Sequence, residues 1–296
     1  MKKLIAGVIA FIALCTAAAV FLERKYLHTC TRRKRIGVTE ESEKWIDKTP
    51  HEDTYMISRD GICLHGMIFD NGSDNWIVAV HGYDSELRGM ADHAKRFHDA
   101  GYSVFMPDLR SFGTSGGTHT TMGHLEKNDV IDWINKLISE RNAKNIVLYG
   151  ISMGAATVML TSGEKLPDNV RAVVEDCGYS SVHEEFEYNM MHTVHLPPYP
   201  VLWICDLITR CKTGWSLLND GNCISAVKRT QIPILFIHGS SDTFVPFAMH
   251  EKLYKACGHP EKQKLVINGA GHAEDSEKDP ELYWKTVFEF VKKHIG

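Results

Sequence analysis

The chain has 296 residues, 44% hydrophobic and 24% charged, with a formal net charge of −4. This is ordinary globular composition, which excludes a disordered or low-complexity chain. The charge balance offers no field for nucleic acid, and no helix-turn-helix or zinc-finger spacing is present, so nucleic acid is not an expected partner.

Residues 4–22, LIAGVIAFIALCTAAAVFL, are uncharged throughout and match the ~20 residues a helix needs to cross a bilayer core. The basic start (Lys2, Lys3) and the small residues Ala17 to Ala19 also fit a signal peptide cut after Ala19. The length of the run and the basic cluster after it favour a retained single-pass anchor. Arg24, Lys25, Arg32, Arg33, Lys34 and Arg35 outweigh the charges before the run and place the body on the cytoplasmic side. The signal-like start points to the other side. Residues 1–22 are thus expected to be an anchor or signal segment and residues 23–52 a basic and polar linker, with the globular domain at 53–296.

From about residue 53, apolar β-branched runs alternate with helical patterns, as in a mostly parallel sheet with helices on both faces. TYMIS (54–58) and ICLHGMIF (62–69), parted by Asp60-Gly61, read as an opening hairpin at the sheet edge. WIVAV (76–80), YSVFM (102–106), NIVLY (145–149), RAVVE (171–175), PILFIH (233–238) and QKLVIN (263–268) follow as buried strands, which predicts an α/β fold with an eight-stranded sheet. Helices are predicted over Arg88–Ala100, Gly123–Glu140, Ser152–Gly163, Pro246–Cys257 and Pro280–His294. Between RAVVE and PILFIH the connection is far longer than the few residues usual for such a fold. It carries two helical patterns, Ser181–His192 and Val201–Cys211, parted by LPPYP, and several aromatics. We expect a small helical cap here, inserted after the sixth strand at about 178–230 and lying over the carboxyl ends of the strands, where open α/β sheets bind ligands.

The pattern G-x-S-x-G occurs twice, at Gly113–Gly117 and Gly150–Gly154, and a chain of this length matches it by chance about one time in ten. Context separates the two. A nucleophile elbow needs a strand directly before the serine and a helix directly after it. NIVLY runs into Gly150 and a helical pattern follows Ser152, whereas Ser115 lies in a glycine-rich loop. Ser152 is therefore the expected nucleophile. The amide of Met153, at the start of the helix, is one expected oxyanion donor, and the amide of Tyr83, after the strand ending in His81-Gly82, is the second.

A serine hydroxyl needs a general base, and that base needs a partner to hold its tautomer. His272, immediately after the last strand, is the expected base. Asp242, in HGSSDTFVP after the preceding strand, is the expected acid, with Asp176 after RAVVE as its rival. Asp108 reads as a loop-fixing residue and His238 as packing. The 16 histidines include no HExxH pair and no CxxC is present, so neither a metal nor a cofactor is expected. The irregularly spaced cysteines read as free thiols, with a local Cys205–Cys211 bridge as the alternative.

In this order HGY, PDLRSFGTSGG, YGISMGAA, HGSSDTFVP and GAGH resemble the α/β-hydrolase superfamily, in particular its prolyl-oligopeptidase-like and serine-aminopeptidase-like esterases. The resemblance covers about residues 53–294. It implies a serine hydrolase that acts on an acyl ester through an acyl-enzyme, with amide or peptide cleavage, or acyl transfer, by the same residues as the alternatives. A binding module that has kept the fold without the chemistry is the remaining reading. The expected partners are a small acyl ester or amide substrate and, through the first helix, a membrane.

Overall fold

In the computed structural model of the chain, which describes residues 2–28 and 37–296, the apolar runs become eight strands. These are β1 (Glu52–Ile57), β2 (Cys63–Phe69), β3 (Asn75–Val80), β4 (Ser103–Pro107), β5 (Asn145–Ile151), β6 (Val170–Asp176), β7 (Ile234–Gly239) and β8 (Lys262–Ile267). They form one sheet in the order β1-β2-β4-β3-β5-β6-β7-β8. β2 runs antiparallel to both β1 and β4, and the remaining pairs are parallel. The expected edge hairpin and eight-stranded α/β sheet are both found.

The helices are α1 (Lys2–Leu22), α2 (Glu40–Lys48), α3 (Ala91–Asp99), α4 (Glu126–Arg141), α5 (Met153–Ser162), α6 (Val182–His192), α7 (Val201–Thr213), α8 (Cys223–Arg229), α9 (Phe247–Ala256), α10 (Asp275–Lys278) and α11 (Pro280–Ile295). Alternate residues of each inner strand enter opposite layers, as the two-residue period of a strand requires. Ile146 and Leu148 of β5 join the core beneath α4, α5, α8 and α9. Val147 and Tyr149 join the core beneath α2, α3 and α11. Every residue of α5 is buried, which explains why this helix is apolar all round rather than striped.

Two segments depart from the sequence reading. Within the expected linker, residues 40–48 form α2, opened by a capping box between Thr39 and Ser42. This helix docks by a fully buried Ile46 and by Trp45, which stacks on Phe69 at 4.5 Å between ring centroids. The rest of the linker's basic cluster, Arg32 to Arg35, lies outside the described residues. The second departure is α8, which sits inside the expected cap range yet packs on α5 as an ordinary crossover helix. Its Ala226 lies so close to Gly163 that a side-chain carbon there would stand 2.7 Å from it.

The insertion itself has a narrow neck. Ser181 and Asn222 form an isolated antiparallel bridge, closed by bonds from Val182 N–H to the Gly221 carbonyl (3.1 Å) and from Ile224 N–H to the Ser180 carbonyl (3.1 Å). Between these points the chain makes α6 and α7. α1 lies along α7: the Cys205 thiol donates to the Ala19 carbonyl at 3.2 Å, and the Lys212 ammonium binds the Glu23 carboxylate at 2.9 and 3.0 Å. The N-terminal helix is thus packed against the cap. Cys205 and Cys211, both free, stand on α7 with one buried and the other exposed, so the local bridge is not formed.

Candidate active site

The site lies at the carboxyl ends of β3, β5, β7 and β8. Ser152, between β5 and α5, has φ 56° and ψ −116°, a strained conformation for a residue with a side chain. Glycine on either side makes this turn feasible. A side-chain carbon on Gly154 would lie 2.1 Å from the Val80 carbonyl oxygen, and one on Gly150 would lie 2.4 Å from the Gly154 carbonyl oxygen. The Ser152 N–H donates to the Asp176 carbonyl at 2.8 Å, tying the turn to β6.

Three of the residues expected from the sequence are brought into one line of contacts. Ser152 Oγ is 2.8 Å from His272 Nε2, and His272 Nδ1 is 2.7 Å from Asp242 Oδ2. Asp242 Oδ1 accepts from the Phe244 and Val245 amides, each at 2.9 Å. Burial works against the charge on Asp242, but hydrogen bonds from His238 and His272, the His272 charge and the Val245 amide outweigh it and hold this carboxyl far below the usual carboxylate range. An acceptor of that kind fixes the Nδ1–H tautomer of its histidine and leaves Nε2 to take a proton from the serine.

The other candidates fall elsewhere. Ser115 Oγ accepts from the His65 amide (2.9 Å) and donates to the Asp108 carbonyl (2.7 Å), so it pins a loop. Asp108 accepts from the Leu87 amide, His65 Nδ1 and the Thr114 amide, the loop-fixing role expected of it. Asp176 accepts from the Tyr283 hydroxyl at 2.7 Å, and Tyr283 in turn pairs with Tyr149 at 2.6 Å. His238 does more than pack, because its Nε2 lies 2.9 Å from the Val245 carbonyl and 3.4 Å from Asp242 Oδ2, buttressing the acid loop.

Met153 begins α5, where the first amides of a helix have no partner within it. Tyr83 follows Gly82, whose Cα faces Ser152: a side-chain carbon there would sit 3.4 Å from Ser152 Cβ. His81 positions this segment. Its Nε2 accepts from the Leu109 amide at 3.0 Å, so Nδ1 carries the hydrogen that reaches the Gly82 carbonyl at 2.7 Å. Burial pushes the His81 pKa down, which keeps it in this neutral form. Among the described residues one trio has metal-ligand geometry, Cys177 with Asp242 and His272. Asp242 and His272 are already bonded to each other, and burial holds the Cys177 thiol in its protonated form, well above the ordinary value.

Ser152 opens into a cleft between the strand ends and α6. Its walls are nearly all apolar: Met153 from the start of α5, Tyr179 from the segment after β6 and Phe186 and Met190 from α6, with Leu22 and Tyr26 from the N-terminal segment. Glu185, Asn189 and Thr193 are the polar residues of these walls. Glu185 is 4% exposed, with one oxygen accepting from Asn189 at 2.8 Å, and burial pushes its pKa well up, toward the neutral acid. Asn189 also donates to the Phe244 carbonyl at 3.1 Å, linking the cap to the loop of Asp242. Sequence reasoning expected α6 in a cap over the strand ends but missed the N-terminal wall, because Leu22 and Tyr26 stand more than a hundred residues from Ser152 and leave no local signature.

Residues 72–204 match the family model described as serine aminopeptidase, S33. YqkD of Bacillus subtilis (strain 168) is 29% identical over 218 residues, spanning 73% of this chain and 71% of that one. The lysophosphatidylserine lipase ABHD12 of Macaca fascicularis is 30% identical over 188 residues, spanning 60% of this chain and 44% of that protein. Among solved structures, the Pyrococcus furiosus esterase Pf2001 superposes with a TM-score of 0.73 at 23% identity, over 90% of this chain and 98% of that one. Over residues 72–204 the chain thus resembles the serine aminopeptidase family of hydrolases, and its fold is that of the α/β hydrolases.

Proposed function

We propose that the chain hydrolyses an acyl ester whose apolar acyl chain lies in the cleft beside Ser152. The observation that carries this reading is the relay of 2.8 and 2.7 Å contacts from Ser152 through His272 to Asp242, placed at an apolar cleft. Ser152 attacks the ester carbonyl as His272 takes its proton, and the Met153 and Tyr83 amides receive the charge that develops on the carbonyl oxygen. His272 then gives the proton to the departing alcohol. Water, deprotonated by the same histidine, cleaves the acyl-enzyme and restores Ser152. A cleft with so little polar lining suits an aliphatic chain better than a peptide backbone, whose amides would lose hydrogen bonds on entry. The similarity to a lysophosphatidylserine lipase and to an esterase supports the same preference. Within this reading α1 is a retained membrane anchor, supported by Ala19, which is fully buried at the point where a signal peptide would be cut.

Fluorophosphonate labelling combined with p-nitrophenyl esters of increasing chain length tests the proposal. Ser152→Ala is expected to abolish labelling and turnover. Asp242→Asn should lower kcat by on the order of 10⁴-fold through loss of the His272 tautomer, with Asp176→Asn remaining near the wild type. The specificity constant should rise from acetyl to longer acyl esters. Faster turnover of peptide amides than of any ester would instead favour the peptidase reading, and a large loss in Asp176→Asn would displace Asp242 as the acid.

A further inference from the structure

We infer that α7 and the loop before it are seated in the bilayer beside α1, so that the cleft takes its acyl chain from the membrane and the natural substrate is a single-chain lipid ester. This rests on the esterase and anchor readings above and begins with lengths. The 21 residues of α1 extend about 31 Å, close to the ~30 Å of a bilayer core, so the whole helix is needed to cross it. Residues 6–14 are exposed on every side and supply only about 14 Å of that length. Residues 2–5 add about 6 Å, and the rest must come from residues 15–22, where Cys15, Ala19 and Leu22 are buried in the same core as Val201, Leu202 and Cys205 of α7. If α1 crosses, α7 goes in alongside it.

The direction of α7 fixes which end is deeper. Cys205 meets Ala19 and Lys212 meets Glu23, so the two helices run the same way and the first turn of α7 stands at about the level of Cys15. The outer surface there is apolar where water would favour charge. Trp203 is 60% and Leu207 61% exposed, and Leu196, in the preceding loop, is 44% exposed. Trp203 lies against Tyr199 at 5.0 Å, so two aromatic rings stand together on this face. At the other end of the helix pair, Arg24 and Lys25 add basic charge beside Arg210 and Lys212, which are paired with Asp206 and Glu23. That is the arrangement expected of a surface meeting anionic headgroups.

The same surface borders the cleft. Leu22 and Tyr26 of the N-terminal segment form one wall, and Met190 and Val194, next to the exposed Met191 and Leu196, form another. A chain held in the membrane at α7 would therefore pass between these walls to Ser152 without crossing water.

The full chain in phosphatidylcholine vesicles carrying bromine along one acyl chain provides the test. Quenching of tryptophan fluorescence should fall in Trp203→Phe, since that residue would be the one in contact with lipid. The double variant Trp203→Arg, Leu207→Arg should keep fluorophosphonate labelling and hydrolysis of a soluble short ester, yet lose about tenfold or more of its rate on a monoacyl lipid ester in the same vesicles. Quenching unchanged in Trp203→Phe, or a double variant that handles both esters as the wild type does, would overturn the inference. Absence of labelling and of soluble ester turnover in the wild type would overturn the esterase reading instead, with the quenching result still deciding where α7 sits.

Discussion

Asp176 and Asp242 end neighbouring strands, and their surroundings give them opposite chemistry. Asp242 meets two amides and two histidines that favour the carboxylate. Asp176 is buried near a second carboxyl, Asp275, and burial raises both pKa values, with the charges of Glu175 and Asp242 adding to the rise at Asp176 and the charge of Asp176 adding to it at Asp275. The two effects on stability run in opposite directions. The depressed pKa of Asp242 gives stability that is present above its unfolded value, near pH 4, and is lost only as pH falls toward its folded value. The raised pair binds more protons folded than unfolded, so stability drains away as pH rises from about 4 through its folded values. Asp275→Asn removes one of these ionisations. It should flatten the decline of the melting temperature between acid and alkaline pH and leave the rate on a short ester near that of the wild type. A slope equal to the wild-type slope would show that the pair is not linked to folding. Asp242 and His272 were legible in the sequence because each follows directly on a strand, where the chain itself places them. The contact of His238 with Asp242 was not, since a histidine at a strand end reads equally well as packing until the return of the loop is known.

Elements with a strong period were read from sequence within a few residues of their ends, and those without one were missed. The strands of the central sheet are continuous apolar runs bounded by turns, and α5 follows its strand with no gap. Ser152 could be chosen over Ser115 for that reason. α2 offers only Trp45 and Ile46 as apolar residues, too few to show a helical repeat, although Thr39 and Pro50 bracket it. α8 has Cys223, Ala226 and Val227 at helical spacing after the capping residue Asn222, but the length of the surrounding insertion concealed that it completes an ordinary crossover. The docking of α2 rests on one side chain entering the core beneath α3 and α11. Ile46→Ala should therefore destabilise the fold by about 2–5 kcal/mol, the range for truncating a buried aliphatic side chain. Denaturant unfolding would measure it. The rate on a soluble ester should be unchanged, because α2 lies on the face of the sheet opposite α5. A change below about 0.5 kcal/mol would mean that α2 contributes little to the fold.

For the molecule as a whole, the N-terminal segment packs into the domain as well as forming the proposed anchor. Leu22 and Leu27 are 4% and 1% exposed, and Glu23, itself buried, binds Lys212 and His119. The Tyr83 hydroxyl donates to the Tyr26 carbonyl at 2.9 Å, linking this segment to the loop proposed to hold the oxyanion. Two truncations separate the roles. Removing residues 1–14 takes away only the part of α1 with no buried side chain among residues 6–14, so in detergent the melting temperature and short-ester turnover should stay close to those of the full chain. Removing residues 1–28 also uncovers the inner side of α7 and one wall of the cleft. Exposing the partners of two buried leucines costs about 3–6 kcal/mol, which for a domain of this size lowers the melting temperature by on the order of 10 °C. The loss should be selective in rate as well: the preference for long over short acyl esters should shrink, since the missing wall contacts the chain and not the reacting carbonyl. The same logic bears on processing, because a cut after Ala19 would strip the turns of α1 that cover Cys205. Intact-mass measurement on protein extracted from membranes should accordingly find residues 15–28 still attached, and a mature chain beginning at Val20 would refute the retained anchor.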